Sequence, residues 1–184
     1  MSKIIKKILA IPGSNRIHST HLNLIRTITT LAEGKFDVIE YNTIGGLPHF
    51  NPDIDNGSSP QPVIEFRRQL QAVDGVLICT PEYAMGVPGT LKNALDWTVS
   101  SADFYRKPVS LITASSVGQK GHAALMETLN IIGSVITAET QLIIPFIKTK
   151  IGSDGTILDP ETEHKVKTLV DKFTILLNSS NGVM

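Results

Sequence analysis

Cysteine is almost missing from this chain: Cys79 is the single one in 184 residues. One thiol closes no internal disulfide, which fits a reducing compartment. It lies inside the apolar run Gly75-Val76-Leu77-Ile78-Cys79-Thr80, so it reads as a buried structural thiol rather than a nucleophile. Net charge is missing too, with Lys plus Arg and Asp plus Glu at 17 each. That balance speaks against nucleic acid or an anionic membrane as a partner. No stretch approaches membrane-spanning length. Residues 3–11 imitate the basic start of a secretion signal, but the uninterrupted apolar run 8–11 stops at Pro12-Gly13. That is short of the about seven apolar residues such a segment needs. These absences point to the cytoplasm. Neither G-x-x-x-x-G-K-[ST] nor G-x-G-x-x-G occurs, so nucleoside triphosphate and dinucleotide readings lose support. No G-x-S-x-G elbow occurs, and no Ser-His-Asp order can be asserted.

What is present is an alternation of short apolar runs and amphipathic segments, in a length that suits one domain over residues 1–184. Residues 8–11 read as a first buried strand, and Leu22, Ile25 and Ile28 mark a helix that ends at Gly34, with Ser19 or Thr20 as its cap. Residues 36–41 read as a second strand, 76–79 as a third, 109–113 as a fourth, and 135–144 contain a fifth. Helical patterns cover 63–72, the stretch after Pro88, the stretch through Leu125 and Leu129, and 161–177. Between them, residues 42–62 carry Gly45, Gly46, Pro48, Pro52, Gly57, Pro60 and Pro62 and read as a long irregular segment, in which Leu47, Phe50 and Ile54 argue for partial order. Strands alternating with helices imply a parallel sheet covered on both faces. Five strands without a dinucleotide fingerprint favour an α/β, flavodoxin-like arrangement: a five-stranded parallel sheet with helices on both faces.

Three loops follow strands one, three and four, and such a sheet opens them all on its carboxyl edge. The first offers hydroxyls at Ser14, Ser19 and Thr20 and a cation at Arg16, directly before a helix. Converging donors at a helix N-terminus suit an anion, and the planar guanidinium suits phosphate. An ordinary capped turn with a surface arginine fits the same residues equally well. In the second loop Pro81, Gly86, Pro88 and Gly89 forbid regular structure until a helix begins. This rigid, weakly charged backbone could support a flat ring, or be no more than a strand-to-helix connection. Glu82 there suits a solvated charge and Tyr83 a core or surface aromatic. The third loop, 115–121, could close over the same ligand. His18 and His21 precede the helix proper and lack a third ligand at fitting spacing, so they read as surface histidines rather than a metal site. Trp97 reads as packing, within the protein or at an oligomer interface.

Pro81-Glu82-Tyr83, followed by Gly86-Val87-Pro88-Gly89 and Leu91-Lys92-Asn93-Ala94-Leu95-Asp96-Trp97, closely resembles the signature of the NADPH-dependent FMN reductases, which include quinone, azo-dye and chromate reductases. Gly13-Ser14-x-Arg16-x-x-Ser19 is similar to that family's FMN-phosphate motif, and residues 47–53 to its loop after strand two. The resemblance runs from about residue 5 to about residue 145. It implies a flavodoxin-like fold and a homodimer or homotetramer. It also implies that Ser14, Arg16, Ser19 and Thr20 hold the FMN phosphate, with His21 beside them. Pro81, Glu82 and Tyr83 would line the isoalloxazine ring with Ala84 and Gly86 next to them, and Ser115 and Gly118 would form the third flavin loop. Asn is commonest in the family where His21 and Ala84 stand, and a glycine where His122 stands.

The expected function is therefore an FMN-dependent oxidoreductase. NADPH or NADH serves as hydride donor, and a quinone, azo compound, metal oxyanion or free flavin as small-molecule electron acceptor. No acid–base dyad is needed, because the cofactor carries the reaction. The rival expectations are a non-enzymatic flavodoxin-like electron carrier, which the neutral charge disfavours, and an FMN-binding or sensing protein.

Overall fold

The computed structural model describes residues 5–16, 19–55 and 57–179. Five strands, β1 (Lys6–Pro12), β2 (Phe36–Glu40), β3 (Gly75–Thr80), β4 (Val109–Ala114) and β5 (Gln141–Ile144), form one sheet in the order β2-β1-β3-β4-β5. Every pairing is parallel. The central strands β3 and β4 are buried at every position, which is why they read as continuous apolar runs instead of alternating ones. Successive residues serve opposite faces. Leu9, Ile11, Val76 and Ile78 pack with helices α2 (Gln61–Gln71), α3 (Gly89–Asp96) and α4 (Gln119–Ile131). Ile8, Ala10, Leu77 and Cys79 pack with α1 (Thr20–Leu31) and α6 (Pro160–Ser179). Edge strand β2 alternates instead and exposes Asp37 and Ile39, as a strand with one free edge should.

Local chemistry sets the helix ends. Ser19 is the cap of α1: its Oγ accepts the Leu22 amide at 3.1 Å. This starts the helix at Thr20, two residues ahead of the apolar pattern. The fifth strand occupies only the last four residues of the expected window. A short helix, α5 (Ile147–Lys150), follows it and was not anticipated. The long segment 42–62 is tied down at two places. Pro48 O accepts from Trp97 Nε1 at 2.8 Å and from Asn93 Nδ2 at 2.9 Å, while the Phe50 ring meets the buried Trp97 edge-on. Farther along, Asp55 pairs with Arg67 of α2 at 2.8 Å, and Arg67 also donates to Trp97 O. Trp97 thus packs within the protein.

Reversal of strand order between β1 and β3 makes a crevice at their carboxyl ends. The loop after β1 crosses the end of β3 closely. Gly13 N donates to Cys79 O at 2.8 Å, and a Cβ on Gly13 would lie 2.0 Å from Thr80 Oγ1 and 2.8 Å from Thr80 Cα. Only glycine permits that approach. Among the described residues no helix is long and apolar enough to cross a membrane.

Candidate functional site

A cavity of about 450 Å³ opens at this crevice. The first loop contributes Ser14, Arg16, Ser19, Thr20 and His21, the second Pro81, Glu82 and Tyr83, and the third Ser115. Residues that looked like three separate connections in the sequence therefore share one site. Ala84, Gly86 and Gly118 stand outside its lining, as do the described residues of 42–62.

The first wall is a helix N-terminus with its donors arrayed around it. Ser19 accepts the Leu22 amide and keeps its hydroxyl hydrogen to offer; Thr20 opens α1. Ser14 Oγ accepts the Arg16 amide at 3.3 Å and lies 3.3 Å from the Tyr83 hydroxyl, which joins the first loop to the second. The Arg16 guanidinium makes no ion pair among the described residues. Cation, hydroxyls and helix N-terminus line one cavity whose carboxylate, Glu82, is taken up by the Gly118 and Gly121 amides, and that donor set suits a phosphate.

His21 differs from the expected surface histidine. It is only 8% exposed, and its Nε2 lies 2.7 Å from Ala114 O at the end of β4. The reason is helical position: residue 21 is on the face that carries Leu24, Ile25 and Ile28 toward the sheet. His18 lies outside the described residues. Among the described residues no cluster of three potential metal ligands occurs.

The second wall is a tight hairpin. Tyr83 and Gly86 exchange both backbone hydrogen bonds, at 2.8 and 3.1 Å, with Ala84 at φ 48° and Met85 at φ 61° between them. Two successive left-handed residues define a type I′ turn, which favours Asn and Gly. Backbone geometry alone thus favours Asn or Gly at position 84, and Ala84 carries the strain instead. Glu82 does not remain a solvated charge. Its Oε2 accepts the Gly121 amide at 2.6 Å and its Oε1 the Gly118 amide at 3.3 Å. A carboxylate thus seals the N-terminus of α4 and fastens the second loop to the third. A Cβ on Gly121 would sit 3.0 Å from both Glu82 Cγ and Gly86 O.

His122, behind the third loop, lies 2.8 Å from Thr113 Oγ1 and 2.8 Å from Gln141 Oε1. It bridges α4 to β4 and β5 and does not line the cavity. Cys79 is fully buried and burial pushes its thiol up, so the thiolate that a nucleophile needs is disfavoured.

Ser116 lies within the expected third loop, whereas three lining residues had no sequence signal: Ala114, Ile147 and Lys148. Lys148 adds a second cation, carried by α5. Its segment is hooked to the third loop because Phe146 N donates to Ser116 O at 3.3 Å and Ile147 N to Ser115 O at 3.2 Å. A basic residue just past a strand's carboxyl end is the one cue that could have pointed to it.

Fold and crevice define a flavodoxin-like α/β protein with a cavity at the carboxyl ends of its central strands. The sequence profile of the NADPH-dependent FMN reductases matches residues 6–148. The chain belongs to that family, and it is an oxidoreductase. A 2-hydroxy-1,4-benzoquinone reductase from Burkholderia sp is 32% identical over 174 residues, covering 91% of this chain and 93% of that protein. An NAD(P)H-dependent FMN reductase from Pseudomonas aeruginosa is 29% identical over 182 residues, covering 96% and 97%. Among solved structures, the flavoenzyme NAD(P)H:(acceptor) oxidoreductase FerB from Paracoccus denitrificans superimposes with a TM-score of 0.84 at 28% identity, covering 95% of this chain and 98% of that one.

Proposed function

We propose that the cavity binds FMN and that the protein passes hydride equivalents from NADPH or NADH to a small-molecule acceptor: a quinone, azo compound, metal oxyanion or free flavin. The observation that carries this reading is the meeting of an unneutralised Arg16 and a helix N-terminus with the Pro81–Tyr83 wall in one cavity. A phosphate-tailed, flat ligand matches those two halves. Bound FMN would supply the two-electron chemistry, accepting hydride and releasing electrons to the acceptor.

The chain's own residues bind and position. Ser14, Arg16, Ser19 and Thr20 hold the phosphate, and Lys148 adds positive charge. Pro81 and Tyr83 flank the ring, with Tyr83 set by its contact to Ser14. Glu82 acts as a positioning residue through Gly118 and Gly121, and Ala84 and Gly86 shape the turn beside the ring. Ser115 contributes from the third loop. The protein works as one domain in the cytoplasm, as a homodimer or homotetramer. Met85, at 67% exposed, and Phe146, at 66%, flank cavity residues and favour an apolar covering by a second subunit. The segment 42–62, pinned to α3, would frame the acceptor's approach from that side.

The test is spectroscopic. The purified protein, reconstituted with FMN, is expected to show flavin absorbance that NADPH or NADH bleaches and a quinone restores. A sample that retains no flavin rules out the cofactor assignment. One that binds flavin but resists bleaching by either nicotinamide rules out the reductase.

A further inference from the structure

His21 presents one committed nitrogen and one available nitrogen. Ala114 O can only accept, so at 2.7 Å Nε2 must carry the hydrogen. In the neutral ring Nδ1 then bears a lone pair. No partner for Nδ1 occurs among the described residues, and the side chain lines the cavity with Ser14, Arg16 and Ser19. Burial pushes this imidazole below the usual histidine range; the Ala114 carbonyl opposes that shift and the Arg16 charge adds to it. The ring is therefore neutral near pH 7 while no anion is present. Other charged or titratable lining groups are Glu82 and Tyr83 from the second loop and Lys148 from α5. Glu82 is already engaged by two amides. On the sheet side His21 meets Ala114 at the end of β4, and Leu24, Ile25 and Ile28 on the same helix face belong to the apolar cluster that includes Ala10, Cys79 and Ile144.

A lone pair cannot donate to a phosphate dianion, so the two groups fit only with a proton between them. The dianion reverses the local field that Arg16 sets up and raises the imidazole's proton affinity. A phosphate monoester also retains its second proton to about pH 6, so either side can hold it. We propose that FMN enters together with one proton, held between His21 Nδ1 and a phosphate oxygen. His21 thereby makes cofactor retention pH-dependent. The inference rests on the FMN reading above.

The experiment is calorimetric titration of the apoprotein with FMN at pH 7.5, in buffers of different ionisation enthalpy, with riboflavin as the phosphate-free comparison. Uptake of about one proton per FMN is expected, with none for riboflavin, and FMN affinity should fall about tenfold per pH unit above neutrality. His21→Asn, which can donate but does not titrate, should bind FMN without proton uptake and with a flat pH profile; His21→Gln serves if it folds better. Zero uptake by the native protein, or equal uptake by the variant, overturns the proposal. Should neither variant fold, nitrogen NMR of the histidine-labelled native protein decides. One of the five imidazoles must change its Nδ1 from unprotonated to protonated or strongly hydrogen-bonded on adding FMN, and none moving overturns it. Failure to bind FMN at any pH rejects the cofactor reading instead.

Discussion

The Glu82 carboxylate accepts the Gly121 amide at 2.6 Å across two loops that are 39 residues apart in the chain. This bond, with its partner at Gly118, makes the Tyr83–Gly86 hairpin and the N-terminus of α4 one unit. Glu82→Ala leaves two helix-end amides without their acceptor and should lower stability by about 1–2 kcal/mol, with weaker FMN binding. Gly121→Ala forces a Cβ to 3.0 Å from both Glu82 Cγ and Gly86 O and should loosen FMN by displacing the carboxylate and the hairpin together. Thermal denaturation and FMN titration of both variants check this; native affinity in both would remove the positioning role from Glu82.

Arg16 lacks an ion-pair partner among the described residues, so its removal should affect binding far more than folding. Arg16→Ala is expected to weaken FMN more than tenfold, on the order of 1.4 kcal/mol or more, at an unchanged melting temperature. Lys148→Ala, with an exposed side chain, should weaken it only about two- to fivefold. Quenching of flavin fluorescence measures both. Unchanged affinity in Arg16→Ala would reduce the first loop to a helix cap.

Ala84 stands at φ 48°, where a non-glycine residue costs roughly 1–2 kcal/mol and Asn is better tolerated. Ala84→Asn should therefore stabilise the fold by about 0.5–1 kcal/mol. Urea denaturation provides the readout, and a destabilised variant would show that the turn is not the constraint at this position.

Asp55 and Arg67 form a pair whose side chains are only 6% and 15% exposed. Truncating either one leaves the other's charge buried, and Arg67→Ala or Asp55→Ala should cost about 3 kcal/mol. Protease sensitivity should appear first within 42–62, because this pair fastens that segment to α2. Cleavage elsewhere at the same rate would contradict that arrangement.

Among the groups held below their ordinary values, His21 and Asp55 bear on the cavity and on the segment 42–62. His21 is held below its ordinary value of 6.5, chiefly by burial. Between that depressed value and 6.5 the unfolded chain binds a proton that the folded chain does not, so stability falls as pH drops through this window. Burial would raise the Asp55 carboxyl, but hydrogen bonds from Ser100, Arg67 and Ser59 and the Arg67 charge together hold it below 3.8. Its contribution is present above that value and disappears as pH falls below it. Melting curves from pH 8 to pH 3 should show a loss just below pH 6.5 that is absent in His21→Asn, and a later acid loss to which Asp55 contributes.

Much of this protein is decided by short-range sequence. Residues 8–11 and 75–80 are strands because they are apolar and β-branched, and Gly13 and Pro81 stop them where the crevice begins. Ser19 starts α1 through a bond three residues away, and the arginine loop and the Pro81–Tyr83 signature carry the family resemblance. These features could be read because each depends on neighbours within a turn or two. The fifth strand was harder to bound, since 135–144 contains no punctuation at Gln141 and pairing with β4 alone decides its start. Tertiary structure decided the rest. It turned His21 inward to Ala114, 93 residues away, and aimed Glu82 at a distant helix end. It also brought Lys148 to the cavity on a helix with no motif of its own. Burial, charge partners and room for a Cβ are properties of which segments meet, and a parallel sheet brings together residues that are dozens of positions apart in the chain.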